Sequence, residues 1–347
     1  MAYTTIDNPS ETAFNTKLFT GTGSSNAVTG VGFQPDWCWF KDRDSSGNDS
    51  GLFDSVRGVQ KRIRTDQNDA ENTDSNGLTA FGADGFTVGS GGYVNANGSA
   101  IVSWNWKAGT SFSNSSGSNG ANLDSSGSVS TTAGFSITSF TGDRSTTRNI
   151  YHGLGVVPKI MIFKNRSTTN GWTVYHEAIG NAKKLTLNST SAQSNCTACF
   201  GSTTPTSTLF TVGDDSDTNG TSNNMICYAF SDIKGYSKAG SYTGTGSNVF
   251  VYTGFKVGWL LVKNADDTNG WLVIDAKRSP ANPQGKYIYA NSSNSEGTVT
   301  YGEFYSNGFG WKGTSSVAVN QSGDKFVYLA FAENPLVTST GIPATAR

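Results

Sequence analysis

Charge is scarce in this sequence. Asp, Glu, Lys and Arg make up 15% of 347 residues, and 25 basic side chains offset 26 acidic ones to a formal net charge of −1. The basic residues are scattered and form no stripe, which argues against nucleic acid as a partner. Histidine is nearly missing: His152 and His176 are the only two, so the commonest general base is in short supply. Both fall in the middle third of the chain and have no counterpart at the matching places elsewhere, so a structural role is expected for each. Cysteine is equally sparse. Cys38, Cys196, Cys199 and Cys227 follow no disulfide framework, as expected of synthesis in a reducing compartment. No run approaches the roughly 18 apolar residues of a membrane span, and the opening residues lack the charged and apolar regions of a secretory signal. The expectation is a chain made in the cytoplasm without membrane insertion. Gly-x-Ser-x-Gly and Walker-type loops are absent, and GTGSSNAVTG near the start lacks the strand-to-helix setting of a dinucleotide fingerprint. The sequence therefore selects no catalytic residue, no metal-ligand set and no cofactor.

What is abundant points to β structure. Polarity is carried by Gly, Ser, Thr and Asn, a mixture that favours turns and strand surfaces over helices. Twenty Phe, thirteen Tyr and eight Trp recur inside short β-branched runs, too many rings for a disordered polar chain. At this length two or three cores are expected.

One pattern is written three times. Each copy opens on an apolar run closed by lysine: PDWCWFKDRD, PKIMIFKNRS and VGWLLVKNAD, ending at Lys41, Lys164 and Lys263. A polar turn follows, nearly identical in the second and third copies as TTNGW and DTNGW. Then comes a half-buried strand in GLFDSVRG, GWTVYHEAIG or GWLVIDAKRS. The closing strands align position for position, with Ser103, Cys227 and Tyr328 equivalent and Trp106, Phe230 and Phe331 equivalent. Turns recur too often for crossover helices, so the fold class is all-β: tandem antiparallel β-sandwiches.

Several residues invite a functional reading. Trp172 and Trp271 sit on equivalent turns, where they either stack on sugar rings or anchor the core. Cys196 and Cys199 form a Cys-x-x-Cys, which lacks the second pair that zinc usually takes, so Cys227 and His176 would have to converge on it. The acidic turns at 42–49 and 214–220 offer closely spaced oxygens to calcium, but Asp and Asn also stabilise turns through their own side chains, and neither segment has the EF-hand pattern. No spacing among the acids selects a carboxylate pair for glycoside hydrolysis.

The repeats carry a resemblance. The opener MAYTTIDNPSETAFNTKLFTGTGS, LFDSVRG, LTAFGADGFTVG and VSWNWKAG in the first copy, HGLGVVPKIMIFKNR and WTVYHEAIG in the second, and KGYSKAGSYTGTGS, VYTGF and FVYLAFAENP in the third resemble marine and cyanobacterial bacteriophage virion proteins. That family comprises tail-fibre-like or decoration proteins with repeated concanavalin-like or jelly-roll modules. The resemblance implies a non-enzymatic structural protein located on the virion and exposed on the particle, with other tail or capsid proteins and a host surface glycan as partners, and with homo-oligomers possible. Tail-fibre-like host attachment is the first expectation. A capsid decoration, a head fibre or a purely architectural protein is the alternative, and a polysaccharide depolymerase a more distant one. The expected division is an attachment segment at 1–20, a first sandwich at 21–109, a flexible Ser/Gly-rich linker at 110–131, sandwiches at 132–239 and 240–336, and a tail at 337–347.

Overall fold

The three lysine-ended runs become the central strands of three sheets, Trp37–Asp42, Ile160–Asn165 and Phe255–Asn264, in a computed structural model that describes residues 4–345. Their period of two separates not inside from outside but one interior from another. Trp37 and Trp39, Ile160 and Ile162, and Trp259 and Leu261 enter one shared core. The side chains between them, Cys38 and Phe40, Met161 and Phe163, Leu260 and Val262, enter three separate ones. A strand buried on both faces reads as a continuous apolar run, and these do.

Each central strand sits in the same four-strand arrangement. The order is Phe14–Thr20, Ala100–Trp106, Trp37–Asp42, Gly51–Asp54 in the first module. It is Phe135–Thr141, Asn224–Phe230, Ile160–Asn165, Trp172–His176 in the second, and Ser237–Thr243, Lys325–Pro335, Phe255–Asn264, Leu272–Asp275 in the third. A smaller antiparallel sheet covers the outer face of each. It is built from Asn26–Thr29, Gly85–Val88 and Leu78–Gly82 in the first module and from Arg148–Tyr151 and Leu209–Val212 in the second. In the third it is Val249–Tyr252, Gly308–Trp311 and Gly302–Tyr305. Every module is thus an antiparallel two-sheet sandwich with its own apolar filling.

The inner faces of the three sandwiches then pack on one another. Trp106, Phe230 and Phe331 stand opposite Trp37, Ile160 and Trp259 in their sheets. Their rings form a triangle with centroid separations of 6.3, 5.7 and 5.5 Å. The positions that align in sequence therefore meet on a pseudo-threefold axis.

This arrangement corrects the expected division. The three copies are not independent domains in tandem, because one core draws residues from all of them. The segment at 1–20 is no detached attachment arm: Phe14–Thr20 pairs along its whole length with Ala100–Trp106, and Phe14 is in the shared core. The segment at 110–131 is no flexible linker. It forms a hairpin, Thr110–Asn114 with Ser125–Ser130, which extends the second module's sheet beside Phe135–Thr141. Strand pairing is carried by backbone hydrogen bonds, so a segment poor in apolar side chains is ordered once the edge of Phe135–Thr141 supplies the ladder. A boundary at 239/240 divides the strand Ser237–Thr243; the true connection is 231–236. Within the tail at 337–347, Val337 bridges Pro343 and the Ser339 N–H donates to Asp7 at 2.7 Å. Met1 to Tyr3 of the opener, and Ala346 and Arg347, lie outside the described residues.

Strand direction gives the assembly two distinct ends. Phe14, Phe135 and Ser237 begin their strands at one end, where Trp106 and Phe230 finish, so the crossings between modules lie there, together with the Asp7–Ser339 contact. The turns after Thr20, Thr141 and Thr243 and after Asp42, Asn165 and Asn264 gather at the opposite end.

Candidate functional site

Trp172 and Trp271 do not present their rings to a ligand. Their exposures are 0% and 2%, and each indole N–H donates across a module boundary, Trp172 to the Arg64 carbonyl at 2.8 Å and Trp271 to that of Thr186 at 2.9 Å. The stacking role is replaced by the anchoring one: an indole buries a large apolar surface and its single donor finds a fixed acceptor.

The other buried polar groups follow the same threefold pattern. Asp54, His176 and Asp275 face Trp37, Ile160 and Trp259 in their sheets and are therefore equivalent. Each reaches the neighbouring module in the same rotational sense. Tyr228 Oη donates to Asp54 at 2.6 Å, His176 Nε2 meets the Tyr328 carbonyl at 3.2 Å, and Trp104 Nε1 donates to Asp275 at 3.0 Å. Position 329, equivalent to Trp104 and Tyr228, is leucine and offers no donor; there a histidine and a backbone carbonyl do the work of carboxylate and ring.

A second ring lies further out. Glu71 joins Arg57 of its own module to Arg166 of the next, and Glu296 likewise joins Arg278 to Arg43. At the third boundary Gln193 stands for the glutamate and Ala265 for the distal arginine, yet the backbone bond persists: Gln193 to Ala265 at 2.7 Å, Glu71 to Arg166 and Glu296 to Arg43 at 2.9 Å. Lys41, Lys164 and Lys263 are buried and donate to backbone carbonyls, Lys41 to Ser292 and Lys164 to Asn68 in adjacent modules. Burial brings the amines of Lys164 and Lys263 down to about 8.

Both imidazoles are committed to structure. Nδ1 accepts from the Leu154 N–H in His152 and from the Ala178 N–H in His176, and Nε2 faces the carbonyls of Thr206 and Tyr328. Burial pushes both down to about 4. Cys196 and Cys199 form a disulfide, which corrects the expectation of unpaired thiols; Cys38 and Cys227 are free and buried. The carboxylate beside that pair is Asp215, so neither Cys227 nor His176 converges on it. The acidic turns spend their oxygens on protein donors, within the turn in the first case and from neighbouring segments in the second. Asp42 accepts from the Asp44 and Ser45 N–H groups and from Asn48, and Asp217 from Asn170 and Lys184.

At the end opposite the module crossings, each set of loops is fastened by one fully buried asparagine. The side-chain oxygen of Asn95 accepts from Thr22 N–H at 2.8 Å, that of Asn219 from Asp143 N–H at 3.0 Å and that of Asn320 from Thr245 N–H at 2.9 Å. The amide groups donate to loop carbonyls such as Gly89, Gly213 and Thr314. The signal for this latch is in the sequence as GTGS at 21–24, GDRS at 142–145 and GTGS at 244–247, directly after the first strand of each copy. The hairpin of the second module adds an asymmetric feature at this end. Between it and Ser139–Thr141 lies an open groove of about 720 Å³ with Ser113, Asn114, Asp124 and Ser126 along its walls. Hydroxyl, amide and carboxylate groups dominate it, a lining suited to a polyhydroxylated ligand.

A family model described as a domain of unknown function, DUF7483, matches residues 8–335. No curated protein matches the chain.

Proposed function

From the premise that the chain belongs to the DUF7483 family, whose description assigns no activity, we propose that it is a structural protein displayed on a bacteriophage particle, where it contacts the host surface. The observation that carries this reading is the polarity of the assembly. The module crossings and the Asp7–Ser339 contact occupy one end, and three latched loop sets, with the polar groove, occupy the other. A body of this kind can be held at one end while offering several loop clusters at the other, and linked weak contacts gain from effective concentration without new interactions. The resemblance of the repeats to phage virion proteins supports the same reading.

The test is gold labelling of purified virions with an antibody to this chain, viewed by electron microscopy. Label on the tail or its fibres is the expected result. Label scattered over the head makes the protein a capsid decoration, and intact particles without label overturn the exposed-virion reading.

A further inference from the structure

We infer that the outer face of the third module carries a carbohydrate-binding platform formed by Phe250, Tyr252 and Tyr305. The inference rests on the surface-contact reading above and names its ligand class. Phe250 and Tyr252 are 52% and 54% exposed. They alternate along Val249–Tyr252 with Val251, which fills the core beneath, so both rings stand on the outside of the small sheet.

Glycine seats these rings. Gly310 lies opposite Phe250 in the ladder and Gly308 opposite Tyr252. A Cβ on Gly308 would come within 3.1 Å of the Phe250 ring, and one on Gly310 within 3.1 Å of the Tyr305 ring. Phe250 and Tyr305 therefore lie close over bare backbone, 5.5 Å apart. Beside them the Lys238 ammonium donates to the Tyr252 carbonyl at 2.9 Å and sits 5.6 Å from its ring. Tyr252 also forms a wall of a groove of about 490 Å³, bordered by Lys238, Asp232 and Thr253.

The repeat acts as an internal control on what the fold needs. The residues equivalent to Phe250 and Tyr252 are Ala27 and Thr29 in the first module and Asn149 and Tyr151 in the second. The same sandwich therefore forms without the exposed phenylalanine. Where a tyrosine recurs, at Tyr151, the chain covers it with Phe112 of the hairpin at 5.6 Å; the third module has no hairpin there. Bare rings with ammonium, carboxylate and hydroxyl groups at their edge match a pyranose, whose C–H face stacks on an aromatic while its hydroxyls take the polar rim.

The test uses the full chain on a printed array of bacterial surface polysaccharides, with titration of each hit. Phe250→Asn and Tyr252→Thr copy residues that sister modules already accept, so the fold is retained, as circular dichroism will check. Each substitution is expected to weaken binding at least tenfold, while Thr29→Ala at the equivalent place in the first module leaves it unchanged. Absence of binding on the array, or equal binding by the folded double variant, overturns the platform. Binding to host cells separates the two readings. If the double variant still binds cells like the native chain, the platform falls and surface contact stands; if the native chain does not bind cells, surface contact falls, and the array alone decides the platform.

Discussion

His152 and His176 each spend both ring nitrogens on backbone groups, and the cost appears on protonation. A second ring proton would place an N–H against the Leu154 or Ala178 N–H. With folded values near 4 against an unfolded value of about 6.5, the unfolded chain binds protons that the folded chain refuses between those limits. Stability must therefore fall as pH drops from 6.5 to 4. Thermal unfolding followed by circular dichroism should show this decline, and His152→Gln with His176→Gln should flatten it. Lys164 and Lys263 act with the same sign at the alkaline end: held near 8, they favour the folded state increasingly as pH rises from about 8 towards 10. The boundary carboxylates give a second test at this scale. Glu71→Gln leaves Arg57 and Arg166 without their shared anion, whereas adding Arg166→Ala recreates the Gln193–Ala265 pairing that the chain uses elsewhere. The double variant should cost less than the sum of the singles, by about 0.5–3 kcal/mol in a double-mutant cycle measured with urea.

At the scale of elements, the hairpin Thr110–Asn114 with Ser125–Ser130 belongs to one module only. Removing 110–130 leaves seven connecting residues between Trp106 and Phe135, where the second and third modules are joined by six. The shortened chain should fold, keep its strand signature by circular dichroism, and lose the polar groove. It should melt somewhat lower, because Phe112 no longer covers Tyr151. Phe14–Thr20 behaves differently. Its strand supplies a full ladder and a ring in the shared core, so deletion of 1–20 should yield insoluble or unfolded protein rather than a folded body that merely fails to attach. Solubility and near-ultraviolet circular dichroism distinguish these outcomes.

For the whole molecule, three sandwiches around one aromatic triangle amount to a trimer's geometry written in one chain. Each module has a private core, yet its inner face is covered only by the other two. An isolated third module, residues 236–336, would expose Trp259, Leu261 and Phe331 to water and should aggregate or remain unfolded. The intact chain should unfold in a single calorimetric transition, with calorimetric and van't Hoff enthalpies in agreement. Three separate transitions would contradict a shared core.

The sequence by itself determined the all-β class, the threefold repetition and the register, because period-two burial and lysine-ended apolar runs are local properties of the chain. It made Trp106, Phe230 and Phe331 equivalent before any contact was known. It could not show that these residues touch, since sandwiches in a row and sandwiches in a ring share the same alternation of side chains. Only the tertiary structure decided that the inner faces pack together, and that decision buried Trp172 and Trp271. The same closure left Phe250 and Tyr252 outside. An aromatic beginning a strand and an aromatic on an outer strand look alike in sequence; what separates them is which neighbouring module comes to cover the ring.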